Sequence, residues 1–184
     1  MKAGSFIVFD VETTGFSPVK NEIIQFSGIK YQDYQKIDEL SIYIKQQKAL
    51  HPKIIEITGI TDAVLDSMGV PPHAAYTMIM AFCDFCDIFV GHNINTFDWP
   101  FLMNFCDKYN DGRIFSQVTA DKLIDTMKIG KALMPGGKKW PKLSKLCELL
   151  HLEFSEEKAH NAIYDVDRTS ACLMKLIEKR MVWA

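Results

Sequence analysis

Apolar positions along this chain follow two different periods, and the change between them organises its reading. The first third reads as strands. Phe6-Ile7-Val8-Phe9-Asp10-Val11-Glu12 is a β-branched and aromatic run that stops at Thr13-Thr14-Gly15, the pattern of a buried strand ending in a turn. Two more strands are expected, at about 23–31 and 39–45, joined by short turns of which Gln32-Asp33-Tyr34-Gln35 is the clearest. Connections this short imply an antiparallel meander, because parallel neighbours need a crossover. From Pro52 the pattern becomes helical. A short stretch runs to Thr58-Gly59, Thr61 is placed to cap a helix over 62–68, and Pro71-Pro72 opens another over about 73–84. A strand follows at 87–91, with a helix from near Pro100 to about Tyr109.

The remainder predicts a short strand near 123–125, a helix over about 126–134, a loop at Met134-Pro135-Gly136-Gly137, and helices at about 142–150 and 161–179. The last helix has a clean apolar row of Ile163, Val166, Ser170, Leu173 and Ile177. A meander followed by strands alternating with helices describes an α/β fold: a central mixed sheet of about five strands flanked by helices. There is no repeat and no dividing linker, so residues 1–184 read as a single domain.

Composition narrows the partners. Hydrophobic residues make up 48% and charged residues 24%, which excludes disorder as a main theme. The net charge of −2 gives no global nucleic-acid signature, so a polyanion site must be local or metal-assisted. Five cysteines in no framework point to reduced thiols and a cytoplasmic location. Cys83-Asp84-Phe85-Cys86 lies in the apolar helical row Ile79, Phe82, Cys83, Cys86, which favours core packing over a zinc site lacking its other ligands. No apolar segment reaches membrane-spanning length, so no membrane is expected. The N-terminal run is broken by Asp10 and is not read as a signal peptide. Trp183-Ala184 is an apolar end that packs on the core or meets a partner.

Asp10 and Glu12 are the first chemically informative pair. Side chains alternate along a strand, so both point to one face. Like charges in an apolar strand repel and lose hydration, and a divalent cation relieves both costs. A frayed strand end with two solvated acids is the alternative. Asp98, before Trp99-Pro100, is either a helix N-cap or a third carboxylate brought to the same sheet edge. Asp165 falls in the small or apolar row Ala162, Asp165, Thr169, Cys172, Leu176, which faces it inward and demands a partner. Asp167 and Arg168 read as surface residues. His160 sits just before that helix, placed either to swing toward a ligand or simply to form hydrogen bonds.

Taken together, these segments resemble the DEDDh, or DnaQ-like, 3′–5′ exonuclease family. Asp10-Val11-Glu12-Thr13-Thr14-Gly15 is similar to its first motif, His92-Asn93 with Phe97-Asp98 to its second, and His160-Asn161-Ala162-Ile163-Tyr164-Asp165 to its third. Thr58-Gly59-Ile60-Thr61 resembles the family's HGIT segment with Thr58 in place of His, and Asp125-Thr126 its "DT" element. The match runs in order over nearly the whole chain. It is similar to the proofreading epsilon subunit of bacterial DNA polymerase III and to the exonuclease domain of the Gram-positive replicative polymerase. The resemblance implies a ribonuclease-H-like fold and two divalent metal ions, magnesium or manganese. It implies that Asp10, Glu12, Asp98 and Asp165 form the metal site and that His160 is the general base.

The same resemblance implies a substrate region. Thr13, Thr14 and Gly15 would face the terminal 3′-hydroxyl, Phe16 and Ile60 would wedge or stack against the last bases, and Asn93 would join the contacts. Ordinary core packing is the alternative for Phe16 and Ile60. From Thr126 to Lys145 there are six lysines (Lys128, Lys131, Lys138, Lys139, Lys142 and Lys145) and no acid, with Trp140 among them. This segment, Lys138 and Lys139 foremost, either steers a phosphate backbone or forms a solvated face. Gly136-Gly137-Lys138-Lys139 lacks the spacing of a P-loop. The leading expectation is an exonuclease on single-stranded or frayed DNA 3′ ends, in proofreading or repair, working with a polymerase in trans. An RNA 3′-trimming enzyme is the second reading, and a silent nucleic-acid-binding subunit of a polymerase assembly the third.

Overall fold

The computed structural model describes residues 4–86, 88–109 and 118–182. Asp87, at the start of one expected strand, and the Trp183-Ala184 end lie outside the described residues. Five strands form one sheet: β1 (Ser5–Thr13), β2 (Ile23–Gln32), β3 (Gln35–Tyr43), β4 (Ile88–Gly91) and β5 (Leu123–Asp125). Their order is β3-β2-β1-β4-β5, antiparallel on the meander side and parallel from β1 through β4 to β5. The helices are α1 (Pro52–Thr58), α2 (Asp62–Met68), α3 (Pro72–Cys83), α4 (Asp98–Asp107), α5 (Thr126–Gly130), α6 (Leu143–Leu149) and α7 (Ala162–Glu178). The mixed sheet of five strands with flanking helices is the architecture expected from the sequence.

β1 lies at the centre and is buried from Phe6 through Phe9. Its alternation feeds two cores. Ile7, Phe9 and Val11 pack with residues of α3 and α4, including Ile79, Phe82, Phe101 and Phe105. Phe6 and Val8 pack on the other face with Leu146 and Cys147 of α6 and Val166, Cys172 and Leu173 of α7. Fully burying one such side chain contributes roughly 1.5–3 kcal/mol, so this strand is firmly held between the two cores. Asp10 and Glu12 share the parity of Phe6 and Val8 and are therefore directed to the α7 face.

Several boundaries differ from expectation for identifiable reasons. β3 begins at Gln35, because Asp33 and Tyr34 both take positive φ (48° and 66°) and close a tight two-residue hairpin. Its first residues, Gln35 to Glu39, are exposed, so no apolar signal marked them. Ile44, expected in that strand, instead bridges to Val70. The helix expected over 126–134 stops at Gly130 and continues as a 3₁₀ turn over 131–133, and the loop at 134–137 holds another over 135–137. In α7, Val166, Ser170 and Leu173 are buried while Ile163 and Ile177 are half-buried at the ends of the row. None of the five cysteines is in a disulfide; Cys83 belongs to the core and Cys86 packs against it.

Gly91 ends β4 where the chain passes under Phe9. A Cβ there would lie 2.9 Å from Cβ of Ile94 and 3.2 Å from the Phe9 carbonyl oxygen, and one neighbour is backbone that cannot yield cheaply. Gly91→Ala is therefore expected to cost about 1–3 kcal/mol as overpacking. Urea denaturation checks this: the midpoint should fall while the slope stays unchanged.

Candidate active site

The carboxyl ends of parallel strands are where an α/β sheet leaves room for a ligand. β1 and β4 pair in parallel from Phe6↔Ile88 to Val8↔Val90. Beyond Val8, no strand among the described residues pairs with that edge of β1. Asp98 fills the gap: its Oδ1 accepts the Val11 N–H at 3.1 Å. This corrects the N-cap reading. The helix begins at Asp98 itself, and the capping position is Phe97, which makes no side-chain cap bond. Asp98 is thus an acid in the first turn of α4, where the helix dipole favours negative charge, and it ties that helix to β1.

On the other side of β1, pairing with β2 is regular from Ser5↔Gln32 to Glu12↔Gln25 and then slips at Thr13↔Ile23. A bulge twists and re-aims the strand where it occurs, here directly behind Glu12. Opposite Asp10 stands Ser27, whose Oγ lies 2.8 Å from that of Ser41 on β3. Gln25, opposite Glu12, donates to the same Ser41 at 3.4 Å. A polar stripe therefore crosses the meander toward the acids, a feature the sequence reading missed because each member sits singly in an apolar strand.

The third element is the start of α7. Asn161 caps it by accepting the Tyr164 N–H at 3.3 Å. His160, just before the cap, has φ 61° and donates its backbone N–H to Oδ2 of Asp165 at 3.0 Å. Left-handed conformations are several-fold enriched in His relative to bulkier residues but still cost energy. Here the Asp165 bond holds the turn, and the imidazole is exposed at the mouth of the cleft. Ligand atoms of Glu12, His160 and Asp165 lie within 4.8 Å of one another.

The resulting cleft, about 240 Å³, is lined by Asp10, Glu12, Thr13, Gly15, Phe16, Phe97, His160 and Asp165, with Ile54, Ile57 and Thr58 of α1. Its electrostatics are unbalanced. Burial, then the charges of Asp98, Glu12 and Asp165, holds the Asp10 carboxyl well above the usual carboxylate range. Burial, reinforced by Asp165 and Asp98, raises Glu12 to about 8. Burial raises Asp98 to about 7 against the stabilising N–H bonds from Val11 and its own backbone. Burial raises Asp165 to about 6, opposed by the His160 N–H and ring. Among the described residues, no lysine or arginine lines the cleft. Four crowded, desolvated carboxylates fit the oxygen-donor set that hard divalent cations take.

The expected substrate contacts fall into two groups. Thr13, Gly15 and Phe16 line the cleft, with Phe16 84% exposed on its rim. Thr13 donates its hydroxyl to the Gly15 carbonyl at 2.6 Å, and a Cβ on Gly15 would meet the Asn21 side chain at 2.7 Å, so the turn is tight. Thr14 faces away and accepts the Glu22 N–H. Ile60 is buried with Ile24, Leu50 and Leu65 and lines a neighbouring depression rather than this cleft. Its place at the wall is taken by Ile54 and Ile57, which the sequence reading missed. Their signal was an i, i+3 apolar pair on a helix with no buried residue of its own. Asn93 (φ 73°) donates its N–H to Oδ1 of Asp125 and accepts from Thr96, so it shapes the β4 turn. His92 joins Thr126 and the Pro141 carbonyl, each at 3.0 Å. Lys138 and Lys139 are exposed and are not among the cleft residues; Lys131 stacks on Trp140 at 4.2 Å, and Lys145 pairs with Glu148.

The family model described as Exonuclease (RNase_T) matches residues 7–173. The chain is 34% identical over 165 residues to the PolC-type DNA polymerase III of Mycoplasma pneumoniae, covering 90% of this chain and 11% of that protein. It is 30% identical over 180 residues to the 3′-5′ exonuclease DinG of Bacillus subtilis, covering 97% of this chain and 18% of that one. It superposes on E. coli exonuclease I in complex with a dT13 oligonucleotide with a TM-score of 0.81 at 25% identity, over 97% of this chain and 42% of the other. The chain thus spans under half the length of each of these relatives. With the match running from the first strand into the last helix, this chain belongs to the exonuclease family.

Proposed function

We propose that the chain is a metal-dependent 3′–5′ exonuclease that hydrolyses the terminal phosphodiester of single-stranded or frayed DNA and releases nucleoside 5′-monophosphates. The observation that carries this reading is the convergence of Asp10, Glu12, Asp98, Asp165 and His160 at the carboxyl edge of β1 and β4. DNA is favoured over RNA by the relatives, which include a DNA polymerase and an exonuclease bound to dT13. A proofreading or repair role, with a polymerase supplied in trans, belongs to the same proposal, as does work in the cytoplasm. No helix among the described residues is long and apolar enough to cross a membrane.

Asp10, Glu12 and Asp165 would hold two magnesium or manganese ions, with Asp98 completing the acidic set. When bound, such ions stabilise the attacking and leaving oxygens of an in-line phosphoryl displacement. The chain's own residues do the rest. His160 stands at the cleft mouth with its backbone tied to Asp165, and its imidazole takes the proton of the attacking water. The tight turn at Thr13-Gly15 closes around the terminal sugar. Phe16 on the rim stacks on the last base, and Ile54, Ile57 and Phe97 give an apolar wall indifferent to base identity.

Three outcomes test this reading. With a 5′-labelled oligonucleotide and magnesium, a ladder shortening from the 3′ end is expected. Asp10→Asn should abolish it and His160→Ala should slow it by at least about 100-fold; full activity in either variant would refute the assignment. Phe16→Ala should raise KM by roughly 5- to 100-fold, the worth of one base–aromatic stack, with an unchanged melting temperature because the ring is exposed.

The third outcome concerns pH. Each carboxylate has a folded-state pKa raised above its unfolded value, so its neutral form favours folding at low pH. That advantage is lost as pH rises through about 6, 7 and 8 for Asp165, Asp98 and Glu12. Metal-free protein should therefore lose stability from pH 5 to pH 8, and the gain in melting temperature on adding magnesium should be larger at pH 8 than at pH 6. Glu12→Gln should raise the metal-free melting temperature at pH 8 and shrink the magnesium effect. A magnesium effect independent of pH would sink the metal assignment.

A further inference from the structure

Two larger depressions adjoin the acidic cleft, and their charges differ. One, about 680 Å³, shares Ile57, Thr58 and His160 with the cleft, and its other charged lining is Glu56, Glu157 and Lys158. The second, about 520 Å³, begins at Thr14, between the Thr13 and Gly15 that line the cleft. Its charged lining is Lys20, Lys45, Lys48, Lys108 and a single acid, Glu22. Glu22 is already taken: both its oxygens accept from Lys108 Nζ, at 2.8 and 2.6 Å. No acidic side chain among the described residues pairs with Lys20, Lys45 or Lys48. All three are exposed, and residues 44–55 contain no Asp or Glu.

The walls of this groove are braced. Gln46 donates its Nε2 to the carbonyls of Ile23 and Ile44 at 3.0 and 3.1 Å. The Lys45 N–H goes to the Val70 carbonyl at 3.0 Å, and the Leu50 N–H to Oδ1 of Asp62 at 2.8 Å. The opposite wall, residues 14–22, is closed by reciprocal backbone and hydroxyl bonds between Thr14 and Glu22 and by Asn21 accepting the Ser17 N–H. Phe105, Tyr109 and Pro72 supply an apolar floor. A fixed basic groove with an apolar floor is what single-stranded nucleic acid requires: cations along the backbone and ring faces for bases.

Resting on the exonuclease reading, we propose that this groove carries the phosphate backbone of the strand whose 3′ end lies in the acidic cleft. Among the described residues, these two depressions are the ones next to the cleft into which a polynucleotide could continue. The one holding two carboxylates and one lysine repels phosphates, whereas the one with three unpaired lysines attracts them. The strand would cross the rim at the Thr13-Gly15 turn beside Phe16, and Lys20, Lys45 and Lys48 would each neutralise one phosphate.

The test uses the triple variant Lys20→Gln/Lys45→Gln/Lys48→Gln of the full chain. Binding of fluorescent dT20 is measured by anisotropy with chelator across a salt series, and magnesium-dependent hydrolysis is followed on dT20 and on a dithymidine monophosphate dinucleotide. Losing three phosphate contacts should flatten the log–log salt slope by about 2 and weaken dT20 binding at least about tenfold. Hydrolysis of the dinucleotide, too short to reach the groove, should be unchanged. Lys20→Arg/Lys45→Arg/Lys48→Arg should retain dT20 binding. An unaltered slope overturns the proposal, as does an equal loss on the dinucleotide. It also fails if Lys138→Gln/Lys139→Gln/Lys142→Gln, and not the first variant, flattens the slope. The exonuclease reading fails separately, if the unaltered chain binds dT20 through these lysines but hydrolyses neither substrate.

Discussion

Mutual repulsion among four carboxylates in a poorly hydrated cleft is the constraint around which this molecule is arranged. Asp10, Glu12, Asp98 and Asp165 all have their neutral forms favoured by burial, and neighbouring charges add to that for Asp10 and Glu12. Left alone, such a cluster would relax by turning outward or spreading apart. The scaffold prevents this by fixing each acid through a different element. β1 is clamped between two apolar cores, α4 is tied to β1 through the Asp98–Val11 bond, and Asp165 is held by the His160 backbone at the start of α7. The electrostatic strain of the site is thus carried by hydrophobic packing remote from it.

The same arrangement separates the roles of the two faces of the Thr13-Gly15 turn. Thr13 and Gly15 look into the acidic cleft, whereas Thr14 looks into a basic groove. On the proposed reading, a hydrolytic centre that gathers negative charge needs positive charge nearby to attract a polyanion, but not so near as to displace the cations it would hold. Placing lysines behind the turn satisfies both demands. It also reconciles a net charge of −2 with nucleic-acid chemistry, because the relevant field is local.

Much of this was legible in the sequence. The β1 run, the hairpin at Asp33-Tyr34 and the inward row of α7 follow from periodicity and turn chemistry, which are local. The carboxylates and His160 were visible as motifs. Other features were hidden for physical reasons. The first half of β3 is exposed on both faces, so it carried no alternation. Ile60 was expected at the substrate and is instead core, because an apolar residue reads the same whether it faces a base or a leucine. Ile54 and Ile57 face the cleft, yet nothing in their identity distinguishes them from packing residues. Asp98 looked like a helix cap because capping and bonding a neighbouring strand both place an acid at a helix start.

By itself the sequence determined the order and type of the main strands and helices, that Asp10 and Glu12 share a face, and which acids and histidine are available for chemistry. These depend on bond geometry and period, and need no knowledge of the partner across the sheet. Only the tertiary structure decided that β4 runs parallel beside β1, which brings Asp98 to Val11, and that α7 lies over the face where Asp10 and Glu12 emerge. It alone showed that Lys20, Lys45 and Lys48, which are separated in sequence, line one groove. Electrostatic fields add over distance in space, and a linear pattern records only distance along the chain.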